Sequence, residues 1–117
     1  MSTTESPITF VEVLPSDELA EGEGRVVEAH TRHVAVFRHA GELHAVQNTC
    51  PHAGGSLGDG HFSSEKGVVR CPRHAWGFDV TSGSCLTQPR YSLKQYEVRE
   101  EDGWILVGVP DDGAVPI

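Results

Sequence analysis

Two short clusters constrain this chain more than anything else in its sequence: Cys50-Pro51-His52 and Cys71-Pro72-Arg73-His74. Each joins one thiol and one imidazole within a span that a single tight loop can turn toward one point. The clusters are separated by 18 residues. Sulfur and imidazole nitrogen together suit zinc or an iron–sulfur centre, whereas magnesium and calcium would call for carboxylates and carbonyls. A fold built around such a site must bring two distant loops together at one tip.

Two metal chemistries compete for Cys50, His52, Cys71 and His74. A closed tetrahedral zinc site takes two Cys and two His. A two-iron cluster can take two Cys on one iron and two His on the other. Zinc fingers usually group Cys with Cys and His with His. Here each loop carries one of each, as a two-iron cluster needs if both loops must reach both irons. The spacing favours the cluster and leaves zinc as the competitor.

Both loops also carry turn-forming neighbours, and with them the chain resembles the Rieske proteins, in particular the small soluble Rieske-type ferredoxins. The matching stretches run from Cys50 through His52-Ala53-Gly54-Gly55 to Gly60, and from Cys71 through His74-Ala75-Trp76-Gly77-Phe78 to Asp79. They continue through Thr81-Ser82-Gly83 and Gln88-Pro89. The gap between His52 and Cys71 is slightly longer than is usual, which reads as an extended hairpin around Ser63-Ser64-Glu65-Lys66-Gly67.

The resemblance implies one 2Fe-2S cluster per chain, with Cys50, His52, Cys71 and His74 as ligands and no catalytic residues. It implies an all-β Rieske fold: an antiparallel β-sandwich base with an inserted cluster-binding subdomain over about residues 46–86. The His-bound iron would lie nearest the surface, making the rings of His52 and His74 the exit route for an electron. Pro89 would belong to a loop that shields the cluster. High-potential relatives carry an inter-loop disulfide, and those positions here are Gly55 and Arg73. They also place hydroxyls where this chain has Trp76 and Phe78. With fewer donors to stabilise the reduced state, the expected potential is roughly −150 to 0 mV. Arg73 acts in the opposite direction, because its charge favours reduction.

Composition agrees with a carrier. The 117 residues fit one domain, with residues 1–7 and 110–117 expected to fray. No apolar run approaches the ~20 residues that span a bilayer. The start lacks a basic segment followed by an apolar one, so no signal peptide is expected. Three cysteines, two of them claimed as ligands, leave no pair for a disulfide and point to the cytoplasm. A net charge of −8 argues against nucleic acid and anionic membranes. Its distribution is uneven. Residues 1–29 hold seven acids and one Arg, and residues 97–117 hold six acids and one Arg. Residues 30–96 hold four acids against seven bases, so both ligand loops lie in the basic part.

Short apolar runs broken by Gly, Pro and polar clusters predict nine or ten strands. The strands are expected at 8–14, 25–29, 33–39, 42–47, 68–70, 76–80, 84–86, 93–100 and 104–109. Ser16-Asp17-Glu18-Leu19 reads as a capped turn and Gly22 to Gly24 as flexible chain. Ala40-Gly41 and Glu101-Asp102-Gly103 read as hairpin turns. Cys85 reads as a small buried hydrophobe. His30, His33, His39, His44 and His61 read as ordinary strand or surface histidines, and Trp76 as a packing residue.

The expected function is that of a monomeric one-electron carrier rather than an enzyme. It would pass electrons from a flavin-containing NAD(P)H reductase to a terminal oxygenase. The alternatives are the small subunit of an assimilatory nitrite reductase, which needs a large subunit, and a zinc-stabilised binding module.

Overall fold

The computed structural model describes residues 8–51, 54–73 and 75–110. Nine strands follow one another: β1 (Ile8–Pro15), β2 (Gly24–Ala29), β3 (Arg32–His39), β4 (Glu42–Gln47), β5 (His61–Ser63), β6 (Val68–Arg70), β7 (Gly77–Asp79), β8 (Gln95–Glu101) and β9 (Trp104–Pro110). Single 3-10 turns occupy Ser16–Glu18 and Leu57–Asp59. All strand pairs are antiparallel.

Six strands form the base in the order β1-β9-β8-β4-β3-β2. Strand β8 changes partner along its length. Gln95 and Tyr96 pair with β4, whereas Glu97 to Glu101 pair with β9. That handover curls the sheet so that β1 and β2, at its two edges, approach each other. The remaining strands form a second sheet, β5-β6-β7, carried by the chain between β4 and β8.

Strand β3 joins the two halves. Its run Val34-Ala35-Val36-Phe37 is apolar at every position, which suits a strand buried on both faces. Val34 and Val36 enter the base core with Ile105, Val107 and Val109. Ala35 and Phe37 face the other way, into a core shared with Val69 and Phe78 of the small sheet. Alternation along one strand therefore feeds two cores.

Several local expectations change. Gly24 is ordered strand, opposite Phe37, with its bare Cα against the Phe37 ring, and Gly22 donates to the Arg38 carbonyl at 2.8 Å. The turn at Ser16–Glu18 has no side-chain cap. In the last hairpin Glu101 already pairs with Trp104, so Asp102-Gly103 alone makes the turn. Pro110 belongs to β9 and pairs with Ile8. The second arm of the Trp76–Leu86 hairpin is reduced to one bridge, Phe78 to Cys85. Residues 1–7 and 111–117 lie outside the described residues.

Candidate metal centre

Both ligand loops leave strands of known register. The first follows β4 and is closed at its base by a bridge between Thr49 and Ser56. The second joins β6 to β7, whose last and first residues, Arg70 and Gly77, face each other. Between these clamps the described residues of the two loops share one pattern of backbone hydrogen bonds. Cys50 donates its N–H to the Gly55 carbonyl at 2.9 Å, and Gly54 donates to the Cys50 carbonyl at 2.9 Å. Cys71 donates to the Trp76 carbonyl at 2.9 Å, and Ala75 donates to the Cys71 carbonyl at 2.8 Å.

The donor of each second bond has a positive φ: +74° at Gly54 and +61° at Ala75. Each loop thus closes onto its cysteine carbonyl from a left-handed residue four positions on, with proline immediately after the cysteine, where a fixed φ near −65° suits the first turn position. Left-handed backbone is free for Gly54 and costs Ala75 about 1–2 kcal/mol.

The turns bury both sulfur-bearing residues. Cys50 is 1% exposed and Cys71 2%, within the same core as Leu57, Val69 and Phe78. The loops touch through Gly55. A Cβ there would stand 2.8 Å from Cys71 Sγ and 3.1 Å from Arg73 Cγ. Gly55 and Arg73, the two positions linked to a disulfide in high-potential Rieske proteins, are therefore neighbours, and the Arg73 stem covers the Gly55 backbone. His52 and His74 lie outside the described residues.

Each loop has a buttress. Asn48 is 8% exposed, accepts the Gly58 N–H on Oδ1 at 2.8 Å, and donates from Nδ2 to Ser56 Oγ at 3.0 Å. It ties the entry of the first loop to its exit. Arg70 donates from Nη1 to the Ala75 carbonyl at 3.0 Å, and Thr87 Oγ1 accepts the Gly77 N–H at 3.0 Å. Sequence reading missed Asn48; the available signal was a polar residue that directly follows an apolar strand and precedes a ligand.

The glycines divide by task. Gly55 makes the approach to sulfur. Gly58 packs on Val26 of β2, at the seam between the sheets, and Gly60 on the Arg70 carbonyl, at the end of the β5–β6 pair within the small sheet. Cys85 is buried as expected, and its Sγ accepts the Gln88 N–H at 3.2 Å. Trp76 packs on the shared core and meets Tyr91 edge to face, centroids 5.4 Å apart. That contact holds the chain containing Pro89 beside the second ligand loop; Pro89 itself is exposed. Among the other histidines, His39 and His44 stand 6.3 Å apart, and burial holds the His44 imidazole below its ordinary range.

Two buried thiols on matched turns, with an interlocking glycine and no room for a larger residue, fit the thiolate half of a two-iron cluster. The comparisons agree. The family described as Rieske [2Fe-2S] domain matches residues 9–97. The ferredoxin component of the alkene monooxygenase system of Xanthobacter autotrophicus is 33% identical over 109 residues, covering 91% of this chain and 88% of the relative. The structure of the ferredoxin of carbazole 1,9a-dioxygenase from Nocardioides aromaticivorans superposes with a TM-score of 0.79 at 30% identity, covering 85% of this chain and 96% of that one. A putative NADH-dependent nitrite reductase small subunit from Mycobacterium tuberculosis gives 0.79 at 30% identity, over 93% and 99% of the two chains. By its matched turns, its two-sheet architecture and the extent of these similarities, the chain belongs to the Rieske [2Fe-2S] domain family.

Proposed function

We propose that the protein is a one-electron carrier that passes electrons from an NAD(P)H-dependent flavin reductase to a terminal oxygenase. The observation that carries this reading is the pair of turns with matching hydrogen bonds that bury Cys50 and Cys71 in one core, in contact through Gly55. Cys50, His52, Cys71 and His74 would hold one 2Fe-2S cluster per chain. When bound, that cluster takes up and releases a single electron.

The chain's own residues set the conditions for that step. Burial of Cys50 and Cys71 in an apolar core keeps water from the sulfurs. Gly55 lets the first loop close on Cys71. Trp76 and Phe78 offer no hydroxyl to a sulfur, which supports a low potential, roughly −150 to 0 mV. Arg73, whose stem lies over Gly55, opposes this in part. The chain acts as an electron-transfer component, the role named for its ferredoxin relatives, with about 46–86 as the cluster-binding part. No helix among the described residues is long and apolar enough to cross a membrane. A monomer in the cytoplasm is the setting this reading takes.

The named roles of the Xanthobacter and Nocardioides relatives favour an oxygenase as acceptor. The Mycobacterium similarity favours a second reading, the small subunit of a nitrite reductase, which would require a siroheme-containing large subunit. Purification under reducing conditions tests the core of the proposal. The oxidised protein should be red-brown, and a redox titration followed by electron paramagnetic resonance should show one spin per chain. A colourless protein containing zinc would overturn it. Reduction by NAD(P)H through a flavin reductase, then reoxidation by an oxygenase or a nitrite reductase, separates the two readings.

A further inference from the structure

The outer face of the β5-β6-β7 sheet carries a groove that the cluster loops do not use. It measures about 290 Å3 and is lined by His61, Ser63, Lys66, Val68, Arg70 and Leu86. Strand alternation explains its content. Phe62, Val69 and Phe78 point inward, which leaves His61 opposite Arg70, and Ser63 opposite Val68, on the outward side. Lys66 comes from the β5–β6 hairpin. Leu86 comes from the chain after the Phe78–Cys85 bridge and is 57% exposed, an unusual place for a leucine.

Charge in the groove has one sign. Lys66 and Arg70 are cationic, and His61 adds a ring N–H donor beside them. Two carboxylates are near. Asp79, across from Val68, is occupied by the N–H and hydroxyl of Thr81 at 2.9 and 2.6 Å, and Glu65 sits at the exposed hairpin tip. The rest of the molecule has the opposite character, because the acids concentrate in residues 1–29 and 97–117. The groove is also wired to the cluster end. Arg70 lies over Gly77 and donates to the carbonyl of Ala75, the left-handed residue of the second ligand loop.

We propose that this groove receives an acidic segment of the redox partner, with an apolar side chain of that segment on Leu86 and its carboxylates on Lys66, Arg70 and His61. The proposal rests on the carrier reading and supplies its partner chemistry. Complementary charge would steer the partner to the cluster end, and the exposed leucine would give the short-lived complex an apolar contact. Docking here places the partner one residue from Cys71, on the side of the second loop.

Two probes test it on the oxidised holoprotein. Hexacyanochromate(III), a redox-inert paramagnetic anion, should broaden amide signals of Ser63 to Val68 in nuclear magnetic resonance spectra. Lys66→Glu should abolish that broadening, and Arg25→Glu, on β2 of the base, should leave it intact. An acetylated Asp-Leu-Glu-Glu amide should shift the same signals, and Leu86→Ser should weaken its binding by about threefold or more. Oxidation of the reduced protein by hexacyanoferrate(III) should slow by about threefold or more in Lys66→Glu at low salt, with the difference closing at high salt. Broadening centred on Arg25, Arg90 or Lys94, or an unchanged rate in Lys66→Glu, would overturn the groove as the docking site. Equal peptide binding by Leu86→Ser would overturn the apolar contact. A protein without the red-brown spectrum would sink the carrier reading, and the two binding maps would then judge the groove alone.

Discussion

The Cα of Gly55 lies so close to the sulfur of Cys71 that a methyl group on it would stand 2.8 Å from Sγ. This contact is where the two ligand loops interlock, and the residue is buried. Gly55→Ala must push the loops apart or displace Cys71. Overpacking of this kind costs about 1–3 kcal/mol, and here it falls on the site itself. The variant should bind less iron per chain and bleach at lower temperature than the parent. A full iron content with an unchanged melting curve would sink the interlock.

Gly54 and Ala75 hold equivalent places in the two turns, and only one of them is suited to it. Nothing lies within 4 Å of a Cβ added at Gly54, so strain alone penalises a side chain there. Gly54→Ala should therefore destabilise by about 1 kcal/mol. Ala75→Gly relieves the same strain but frees the unfolded chain, for a net gain of about 0.5 kcal/mol. Urea unfolding of both variants checks the opposed signs; two changes of the same sign would refute the shared geometry.

Asn48 bridges the first loop from inside. Asn48→Ala leaves the Gly58 N–H without its acceptor in a part-buried position, a loss of about 1–3 kcal/mol. Hydrogen exchange at Gly58 should rise by more than the global change in stability predicts. Exchange that merely follows the global change would show that Asn48 does not hold the loop locally.

Two carboxylates make stability depend on acid. The amides of Gly41 and Ala40, at 2.9 and 2.6 Å, hold the Glu21 carboxyl below its ordinary value of 4.5. Hydrogen bonds from Arg38, at 3.2 and 3.0 Å, do the same for Glu100. A carboxyl whose folded pKa is depressed contributes fully above the unfolded value, and the contribution is lost as pH falls through the folded one. Glu21→Gln should accordingly lower the urea midpoint at about pH 7, and its deficit should shrink below the ordinary carboxylate value. A deficit independent of pH would mean that the amide contacts do not depend on charge.

Some of this was legible in the residues. Val34-Ala35-Val36-Phe37 reads as a strand because no polar residue interrupts it, and the turn at Ala40-Gly41 follows from local preference, as does the last hairpin turn, although Glu101, expected within it, belongs to β8. The candidate ligands were legible because loop chemistry is written in short spacings. Gly24 misled, since glycine reads as loose chain. Its lack of a side chain is instead used by the Phe37 ring, which comes from another strand. Glu21, 19 residues before the turn whose amides it caps, gave no local signal.

By itself the sequence favoured a two-iron cluster over zinc and determined the all-β class and most strand positions, because these depend on residue type and on neighbours within a few positions. Tertiary structure decided the rest. It set the handover of β8 from β4 to β9, the shared hydrogen-bond pattern that closes the loops onto Cys50 and Cys71, and the contact of Gly55 with Cys71. It also left Lys66, Arg70 and Leu86 on one outward face. Each of these joins residues far apart in the chain. Such contacts form only when burial of two cores has already fixed how the sheets meet.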